Sequence, residues 1–480
     1  KYYEDRMPAG ALYIRIKHAE IAHGFVKSVD TAAAEAIDGV VKVLTCFDVP
    51  DIPFPTAGHP WSMDPGHQDV ADRMLLNRHV RYYGDEVAVV IAEDEVAAVQ
   101  GVRALKVEYE ELPFVLDVQK AMEEGAPQIH EEYPQNILAH TDIRRGDYAK
   151  ACQEPGLVKV EGWYDTPTVQ HCHIENHGCF AYMEAGRVVV VSSTQIPHIV
   201  RRVVGQALGI PWGKVRLIKP YIGGGFGNKQ EVLYEPLNAW LTTQVGGRCV
   251  RLDVSREETF QNTRSRHPIS FDAAAAVDGD MRLMARSCTA VSNQGGYASH
   301  GHSIVANAVT GFRQLYLDRI GHHSTAYTVY TNRPAPGAMR GYGIPQCNCA
   351  VECMMDDIAR EKGWDPKAFR LANLMPLGYV DPFNGITCHS TGLAECIEKG
   401  ADFIGWAELR EKYQNQSGPV RRGVGMACFS YKTGVYPISL ETASARMVLN
   451  QDGTVQLHLG ATEIGQGGDT VFSQMAAQAI

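Results

Sequence analysis

The chain has 480 residues, 45% of them hydrophobic, and a formal net charge of −10. The length predicts two to four domains with large cores. The acidic balance and the absence of a basic run argue against nucleic acid and acidic membranes as partners. No stretch has the roughly 18 consecutive apolar residues of a spanning helix, no signal segment opens the chain, and the 12 cysteines lack regular spacing. We therefore expect a cytoplasmic protein with reduced thiols.

The first 115 residues alternate short strands and helices, which predicts a small α/β domain. Strands are predicted over residues 11–17, 25–30, 40–44, 87–92 and 106–111. Helices are predicted over residues 32–37 and 94–105, and residues 87–111 form a predicted strand–helix–strand unit. A segment rich in proline, glycine and histidine, residues 50–68, is predicted to be a loop. We find no catalytic constellation in this part of the chain.

The middle of the chain is predicted to form a second, larger domain over residues 146–413, after a polar connector at 116–145. A strand over 187–193 precedes a helix that begins at Pro197 and ends at Gly209. Residues 248–331 are predicted to be mostly strand and turn. Two further helices follow, one over residues 346–362 and one that Asp365 caps and that ends near residue 374.

The last segment, residues 420–480, holds two predicted strands, 445–449 and 455–459, and a helix over 470–480. One hairpin and one helix do not bury a core by themselves. We therefore expect this domain to be incomplete, and to be completed by further sequence or by a second polypeptide.

A glycine-rich loop, GGGFG at residues 223–227, lies between a predicted strand and a predicted helix. Its backbone can turn sharply and can offer N–H groups to an anion such as a phosphate. It is not a P-loop, because Gln230 follows Lys229, and it is not a dinucleotide fingerprint, because Asn228 replaces the third glycine. A turn without a ligand is the alternative, but Phe226 at the tip is expected to pack on something.

A histidine-rich segment precedes that loop. If it is a strand, His171, His173 and Glu175 alternate on one face and offer three potential metal ligands. No second pair of ligands follows at zinc spacing, so the sequence favours a structural or site-lining role.

Four separated segments carry a joint signal: STQ at 193–195, GGGFGNK at 223–229, AMRGYG at 338–343 and TEIGQG at 462–467. They resemble the pterin-binding signatures of the molybdenum hydroxylases, the xanthine dehydrogenase/aldehyde oxidase family. The resemblance covers nearly the whole chain. It implies an α+β fold, with an a/b-hammerhead domain over 1–115, a first molybdopterin-binding domain over 146–413 and an incomplete second one over 420–480.

The resemblance implies a cofactor, molybdopterin, either plain or as a cytosine or guanine dinucleotide. The pterin holds the molybdenum, so the protein need supply no direct ligand. The resemblance places Gln195 on a molybdenum oxygen, Phe226 against the metal centre, and the Arg340 backbone near the cofactor. The remaining cofactor-binding residues that it implies are Gly224, Gly225, Gly227, Gly465 and Gln466.

Two positions are implied to contact a substrate. Tyr342 stands where the family has an aromatic residue that stacks on a heterocycle. Gln230 stands where mammalian xanthine oxidases have a glutamate that contacts the purine. Glutamine still donates and accepts hydrogen bonds but carries no charge.

The family's catalytic base, a glutamate in a late Gly-Glu-Pro-Pro stretch, has no counterpart here, so the resemblance places no catalytic residue in this chain. We find no iron–sulfur cysteine pattern and no FAD fingerprint, and we expect 2Fe–2S and FAD on partner subunits. The base would come from a second molybdopterin chain or from further C-terminal sequence.

The sequence therefore predicts the molybdenum-binding subunit of a xanthine dehydrogenase-like enzyme that hydroxylates purines such as hypoxanthine and xanthine with water-derived oxygen. One alternative is a molybdenum hydroxylase that acts on aldehydes or on other N-heterocycles such as nicotinate. Another alternative is a non-catalytic scaffold subunit whose glycine loops are vestigial.

Overall fold

The computed structural model describes residues 1–60, 62–63, 68–382, 385–431 and 443–480. The strands in these residues are β1 (Leu12–His18), β2 (Gly24–Asp30), β3 (Val40–Thr45), β4 (His79–Val80), β5 (Glu86–Ala92), β6 (Lys106–Glu111), β7 (Ile137–Arg145), β8 (Val158–Thr166), β9 (Gly178–Glu184), β10 (Arg187–Ser192), β11 (Val215–Ile218), β12 (Val250–Asp253), β13 (Ile269–Val277), β14 (Leu283–Gly295), β15 (Gly321–Tyr330), β16 (Ala445–Leu449) and β17 (Val455–Leu459).

The α-helices in the same residues are α1 (Ala32–Glu35), α2 (Glu95–Ala104), α3 (Val118–Ala121), α4 (Tyr148–Ala151), α5 (Pro197–Leu208), α6 (Glu235–Gln244), α7 (Arg256–Asn262), α8 (Gly301–Phe312), α9 (Ile344–Lys362), α10 (Pro366–Asn373), α11 (Leu393–Ile404), α12 (Trp406–Lys412) and α13 (Gly468–Ala479). The part of the chain that the structure describes holds no helix that is both long and apolar enough to cross a membrane.

A seven-stranded mixed sheet forms the first core, in the order β11-β10-β9-β12-β1-β5-β3. Strand β5 is buried along its whole length, as its apolar run predicts. Strand β1 runs parallel to β12 and antiparallel to β5. Strands from the first 115 residues and from residues 178–253 therefore share one sheet. The domain boundaries drawn from the sequence stay a prediction.

A five-stranded sheet forms the second core, in the order β7-β15-β14-β13-β8, and helices α8 and α9 pack on it. Two smaller sheets complete the described fold: β4-β2-β6 and the hairpin β16-β17. The glycine-rich loop follows β11 at one edge of the seven-stranded sheet, and α6 follows the loop.

The helix signals in the sequence are largely confirmed. Helix α5 begins at Pro197 and ends before Gly209, which has φ +64° and so suits glycine. Its buried residues include Val200, Val203 and Ala207, which recur at helical spacing on one face. The Asp365 carboxylate caps α10 by accepting a hydrogen bond of 3.0 Å from the Lys367 N–H.

The polar connector, whose bounds stay a prediction, contains α3 and β7, an edge strand in which no residue is fully buried. Two other predictions were wrong in part. Residues 248–331 contain helices α7 and α8; a Ser255–Glu258 capping box, present in the sequence, starts α7. The two strands of the strand–helix–strand unit predicted over residues 87–111 do not pair in one sheet, because β5 lies in the seven-stranded sheet and β6 in the three-stranded one.

Candidate cofactor-binding site

The glycine-rich loop is held in a conformation that few side chains tolerate. Gly224, Phe226 and Gly227 have φ of +92°, +52° and +107°. A Cβ at Gly227 would lie 2.5 Å from the Ala338 carbonyl oxygen, and one at Gly225 would lie 2.4 Å from the Gln195 Oε1. These two glycines are therefore needed for close approach as well as for the turn.

Gln195, which follows β10, holds this loop at two points. Its side-chain Oε1 accepts a hydrogen bond of 2.9 Å from the Gly227 N–H. Its backbone N–H donates one of 2.9 Å to the Lys229 carbonyl oxygen. The STQ segment and the glycine loop are thus one local structure, although about 30 residues separate them in the sequence.

A second loop, residues 337–343, docks on the first through its backbone. The Arg340 N–H donates a hydrogen bond of 2.9 Å to the Phe226 carbonyl oxygen. The Ala338 carbonyl oxygen accepts one of 2.8 Å from the His171 Nε2–H, and the Arg340 carbonyl oxygen accepts one of 2.9 Å from the Arg266 side chain. The predicted backbone role of Arg340 therefore includes joining the two loops.

The third loop, residues 460–468, reaches the first but makes few contacts with it. The Lys219 Nζ donates a hydrogen bond of 2.6 Å to the Glu463 carbonyl oxygen, and a Cβ on Gly465 would lie 4.0 Å from the Ile222 carbonyl oxygen. The Gln466 carboxamide bonds within its own loop, accepting from the Ile464 N–H at 2.7 Å. This arrangement brings Gly465, but not the Gln466 side chain, to the glycine loop.

The Glu463 carboxylate accepts hydrogen bonds from three backbone N–H groups at the start of α13, those of Gly465, Gly467 and Asp469, at 2.6, 3.1 and 3.0 Å. These bonds lower the pKa of the Glu463 carboxyl below its ordinary value. The loop therefore presents N–H groups that suit an anion, and the carboxylate of Glu463, from the same loop, accepts their hydrogen bonds.

Buried charges support the glycine loop from behind. The Lys229 ammonium is fully buried and lies 2.6 Å from the Glu175 carboxylate. That carboxylate also accepts hydrogen bonds from the Gly223 N–H at 2.8 Å and from the Ser193 hydroxyl. Burial lowers the pKa of the Lys229 ammonium, and Glu175 opposes that shift. The network fixes where the loop begins and ends.

The histidine-rich segment is a loop, and its residues do not share a strand face. His171 donates to Ala338, the His173 Nδ1–H donates to the Glu175 carbonyl oxygen at 2.6 Å, and Glu175 pairs with Lys229. Burial lowers the pKa of both imidazoles to about 4. These side chains are used in supporting the two loops, in accordance with the structural role that the sequence favours.

A segment from the first domain reaches both predicted substrate contacts, Tyr342 and Gln230. The Tyr342 hydroxyl and the His59 Nε2 are hydrogen-bonded at 2.9 Å. A Cβ on Gly58 would lie 2.5 Å from the Gln230 carbonyl oxygen. The neighbouring residue, Glu231, is buried, and its Oε2 lies 2.6 Å from the Arg264 Nε. Its carboxylate therefore does not supply the charged substrate contact that glutamine lacks at position 230.

Sequence reasoning missed the contribution of the first domain, from which His59 and Asp69 enter this region. The histidine content of residues 50–68 was the available signal. It also missed Arg264, whose Nη2 donates to the Thr56 hydroxyl at 3.1 Å and so ties this segment to the glycine loop. A single arginine in a turn carries no sequence mark of a buried partner.

The residues fit a bulky cofactor that has many polar atoms. Phe226 leaves 47% of its surface exposed at the tip of a rigid loop, where an aromatic ring would normally be covered. Glycines around it let a ligand approach the backbone, and Gln195 adds a carboxamide at the same place. The glycine loop and the STQ segment, which are distant in sequence, supply these groups.

Family models match most of the chain. A model of the aldehyde oxidase and xanthine dehydrogenase a/b hammerhead domain matches residues 1–113. Models of the molybdopterin cofactor-binding domain match residues 129–374 and 399–480. These matches confirm the predicted fold, a hammerhead domain followed by molybdopterin-binding domains.

Individual relatives agree with the family models. The chain is 46% identical, over its whole length, to a xanthine dehydrogenase molybdenum-binding subunit of Escherichia coli O157:H7, and it spans 63% of that protein. It is 32% identical to a nicotinate dehydrogenase large molybdopterin subunit of Eubacterium barkeri, with 84% of this chain and 91% of that protein covered.

Among solved structures, the aldehyde oxidoreductase from Desulfovibrio gigas superposes with a TM-score of 0.88 at 29% identity, covering 98% of this chain and 51% of that one. The fold, the loops and the family models agree. The chain belongs to the xanthine dehydrogenase/aldehyde oxidase family of molybdopterin-binding proteins.

Proposed function

We propose that this chain is the molybdenum-binding part of a xanthine dehydrogenase-like hydroxylase that acts on purines such as hypoxanthine and xanthine. The observation that carries the proposal is the convergence of Gln195, Phe226 and Arg340 from three separated segments, joined by hydrogen bonds of 2.9 Å. The similarity to a xanthine dehydrogenase molybdenum-binding subunit supports the purine class.

In this proposal Gln195, Phe226, Gly224, Gly225, Gly227 and the Arg340 backbone face the molybdenum end of the cofactor, and Gly465 with Gln466 faces its pterin or phosphate. When bound, the cofactor supplies the oxidising centre for hydroxylation with water-derived oxygen. This chain binds and orients it. The Gln195 carboxamide has a free N–H₂ group to donate, because its oxygen is already held by Gly227.

The dinucleotide form of the pterin, the 2Fe–2S and FAD partners and the cytoplasmic location belong to the same proposal. Electrons would leave through iron–sulfur clusters to FAD on partner subunits. The catalytic base would lie on further sequence or on a second molybdopterin chain.

The test is turnover by the native complex that contains this sequence. We expect water-derived oxygen in the product and a higher kcat/KM for hypoxanthine or xanthine than for nicotinate or benzaldehyde. Preference for nicotinate or benzaldehyde would contradict the purine assignment and leave the family assignment intact. A complex without molybdenum would contradict the proposal and favour the scaffold alternative.

A further inference from the structure

A chain of three hydrogen-bonded side chains ends at the predicted substrate position. The Tyr342 hydroxyl and the His59 Nε2 are hydrogen-bonded at 2.9 Å, and the His59 Nδ1–H donates to the Asp69 carboxylate at 2.5 Å. The Asp69 side chain is 4% exposed and that of His59 is 28% exposed. The Asp69 end of this chain is thus buried, and the middle member, His59, still meets solvent.

The chain lies against the candidate cofactor site on two sides. Tyr342 is two residues from Arg340, whose N–H bonds the Phe226 carbonyl oxygen. Gly58, beside His59, packs on the Gln230 backbone. Tyr342 also has φ +49°, an unusual conformation for a large side chain, and the Asn307 side chain holds its carbonyl oxygen at 2.7 Å. Tyr342 is therefore held both at its backbone, by Asn307, and at its hydroxyl, by His59.

Two further histidines, His300 and His302, lie against His59. Burial lowers the pKa of His300 well below its ordinary value and that of His302 to about 4, so both are neutral. Burial raises the pKa of the Tyr342 phenol, which stays protonated. Among the residues that the structure describes, the charged or titratable groups that face His59 are Asp69, Arg202, His300, His302 and Tyr342.

The same side chains could be considered as a metal site, since ligand atoms of His59, Asp69 and His302 lie within 4.8 Å of one another. Two observations favour the hydrogen-bonded chain. Asp69 is already bonded to the His59 Nδ1–H, and the Arg202 guanidinium lies 3.8 Å from the same carboxylate. A nearby positive charge opposes the binding of a cation.

We propose that Tyr342, His59 and Asp69 form a proton relay, in which Tyr342 is the catalytic group that faces the heterocyclic substrate and His59 and Asp69 are positioning residues behind it. The proposal rests on the proposed function, because the substrate is the one assigned there. It adds a polar role for the tyrosine hydroxyl to the stacking role that the family resemblance implies.

The relay works through the protonation of His59. When His59 is neutral, its Nε2 accepts the Tyr342 proton, and the phenol cannot donate elsewhere. When His59 is an imidazolium held by Asp69, its Nε2–H donates to the Tyr342 oxygen, and the phenol proton becomes free to point at the substrate. The cationic form is therefore the one that makes Tyr342 a donor.

In the proposed step, one proton passes from His59 through Tyr342 to a ring nitrogen of the substrate. As an oxygen nucleophile adds to a ring carbon, the C–O bond forms from its lone pair and the C=N π pair moves onto the ring nitrogen. That nitrogen takes the Tyr342 proton, Tyr342 takes the His59 Nε2 proton, and His59 regains a proton from solvent. A pocket borders the Asp69 end of the relay. It is lined by Pro60, Ser62, Gln68, Asp69 and Arg202.

The experiment measures kcat/KM for hypoxanthine against pH in the native complex, for the wild type and for Tyr342→Phe, His59→Gln and Asp69→Asn. We expect Tyr342→Phe and His59→Gln each to lose about 100-fold at the wild-type optimum, and the double variant to lose little more. The shape of the pH profile should differ between the wild type and His59→Gln, and Asp69→Asn, which removes the hydrogen-bonded anion behind His59, should lose activity as well.

His302→Gln is the matched control, since it removes a neutral histidine of the same cluster that lies outside the relay. It should keep the wild-type pH profile, and all variants should keep wild-type molybdenum content. A His59→Gln profile with the shape of the wild-type profile, or full activity in Tyr342→Phe, would overturn the relay alone. A molybdenum-loaded wild type that oxidises no heterocycle would overturn the proposed function and the relay with it.

Discussion

The Gln195 Oε1 accepts a hydrogen bond of 2.9 Å from the Gly227 N–H, and a Cβ on the intervening Gly225 would lie 2.4 Å from that oxygen. One side chain thus sets the shape of a loop that begins nearly 30 residues later. This contact needs a long polar side chain on one side and a bare backbone on the other. It makes the STQ segment and the glycine loop a single unit.

Replacing Gln195 with Ala should remove much of the bound molybdenum, while the melting temperature should fall only modestly. The substitution leaves the Gly227 N–H without its partner, which costs about 1–3 kcal/mol, and it removes the carboxamide that faces the cofactor in the proposed function. The measurement is molybdenum per protein together with the melting temperature. Gln119→Ala, on exposed helix α3, is the control. Full molybdenum content in Gln195→Ala would count against its role.

Replacing Gly227 with Ala should damage the site even though it adds one methyl group. The residue has φ +107°, and the new Cβ would lie 2.5 Å from the Ala338 carbonyl oxygen. Backbone strain alone costs about 1–3 kcal/mol, and the clash pushes the second loop away. Gly213→Ala is the matched control, because nothing lies within 4 Å of its Cβ position. Equal melting temperatures for the two variants would show that this close approach is not required.

Breaking the buried pair behind the loop should be among the most destabilising changes in this region. Glu175→Ala leaves the Lys229 ammonium, whose side chain is 0% exposed, without its anion. Uncompensated buried charges cost about 3–5 kcal/mol. Chemical denaturation measures the loss, and the double change Glu175→Leu with Lys229→Met should recover much of it.

The exposed pair of Lys159 and Glu161 provides the comparison for that experiment, with side chains 45% and 65% exposed. Lys159→Ala should change the free energy of unfolding by no more than about 1 kcal/mol. If Glu175→Ala cost as little as Lys159→Ala, the loop would not depend on the buried pair.

Acidification should weaken the support of the two loops. Burial lowers the pKa of His171 and His173 to about 4 in the folded chain, against about 6.5 when unfolded. The unfolded state therefore binds protons first as the pH falls. Stability is fully present above about pH 6.5 and falls toward pH 4, by at most about 1.4 kcal/mol per pH unit for each histidine.

Denaturation at several pH values between 7.5 and 5 checks this dependence. His171→Asn should flatten it by removing one of the two groups, while His458→Asn, on the exposed strand β17, should leave it unchanged. A wild-type curve that does not fall below pH 6.5 would mean that these imidazoles are not held neutral.

The sequence predicted those parts of the fold that depend on local signals. Pro197 and Gly209 gave the bounds of α5, and the alternation around Asn450 gave the β16-β17 hairpin, because both depend on neighbours in the chain. It did not predict that β1 would join β12, since parallel pairing over more than 200 residues leaves no local mark.

The site divides in the same way. The glycine loops could be found because close backbone approach restricts the residue type at positions such as Gly225 and Gly227. His59 and Asp69 could not be found, because their function in the cluster comes from a loop of the first domain that folds against Tyr342. An isolated histidine or aspartate in a loop has many possible partners.

Molybdenum content tests the central claim most directly. The native complex that contains this sequence should be purified as the wild type and as Gly227→Ala, and molybdenum and pterin should be measured per copy of the chain. We predict about one molybdenum with its pterin in the wild type and a large loss in Gly227→Ala, with Gly213→Ala unchanged. A wild-type complex without molybdenum, or a Gly227→Ala complex that keeps it all, would contradict the assignment of the cofactor to these loops.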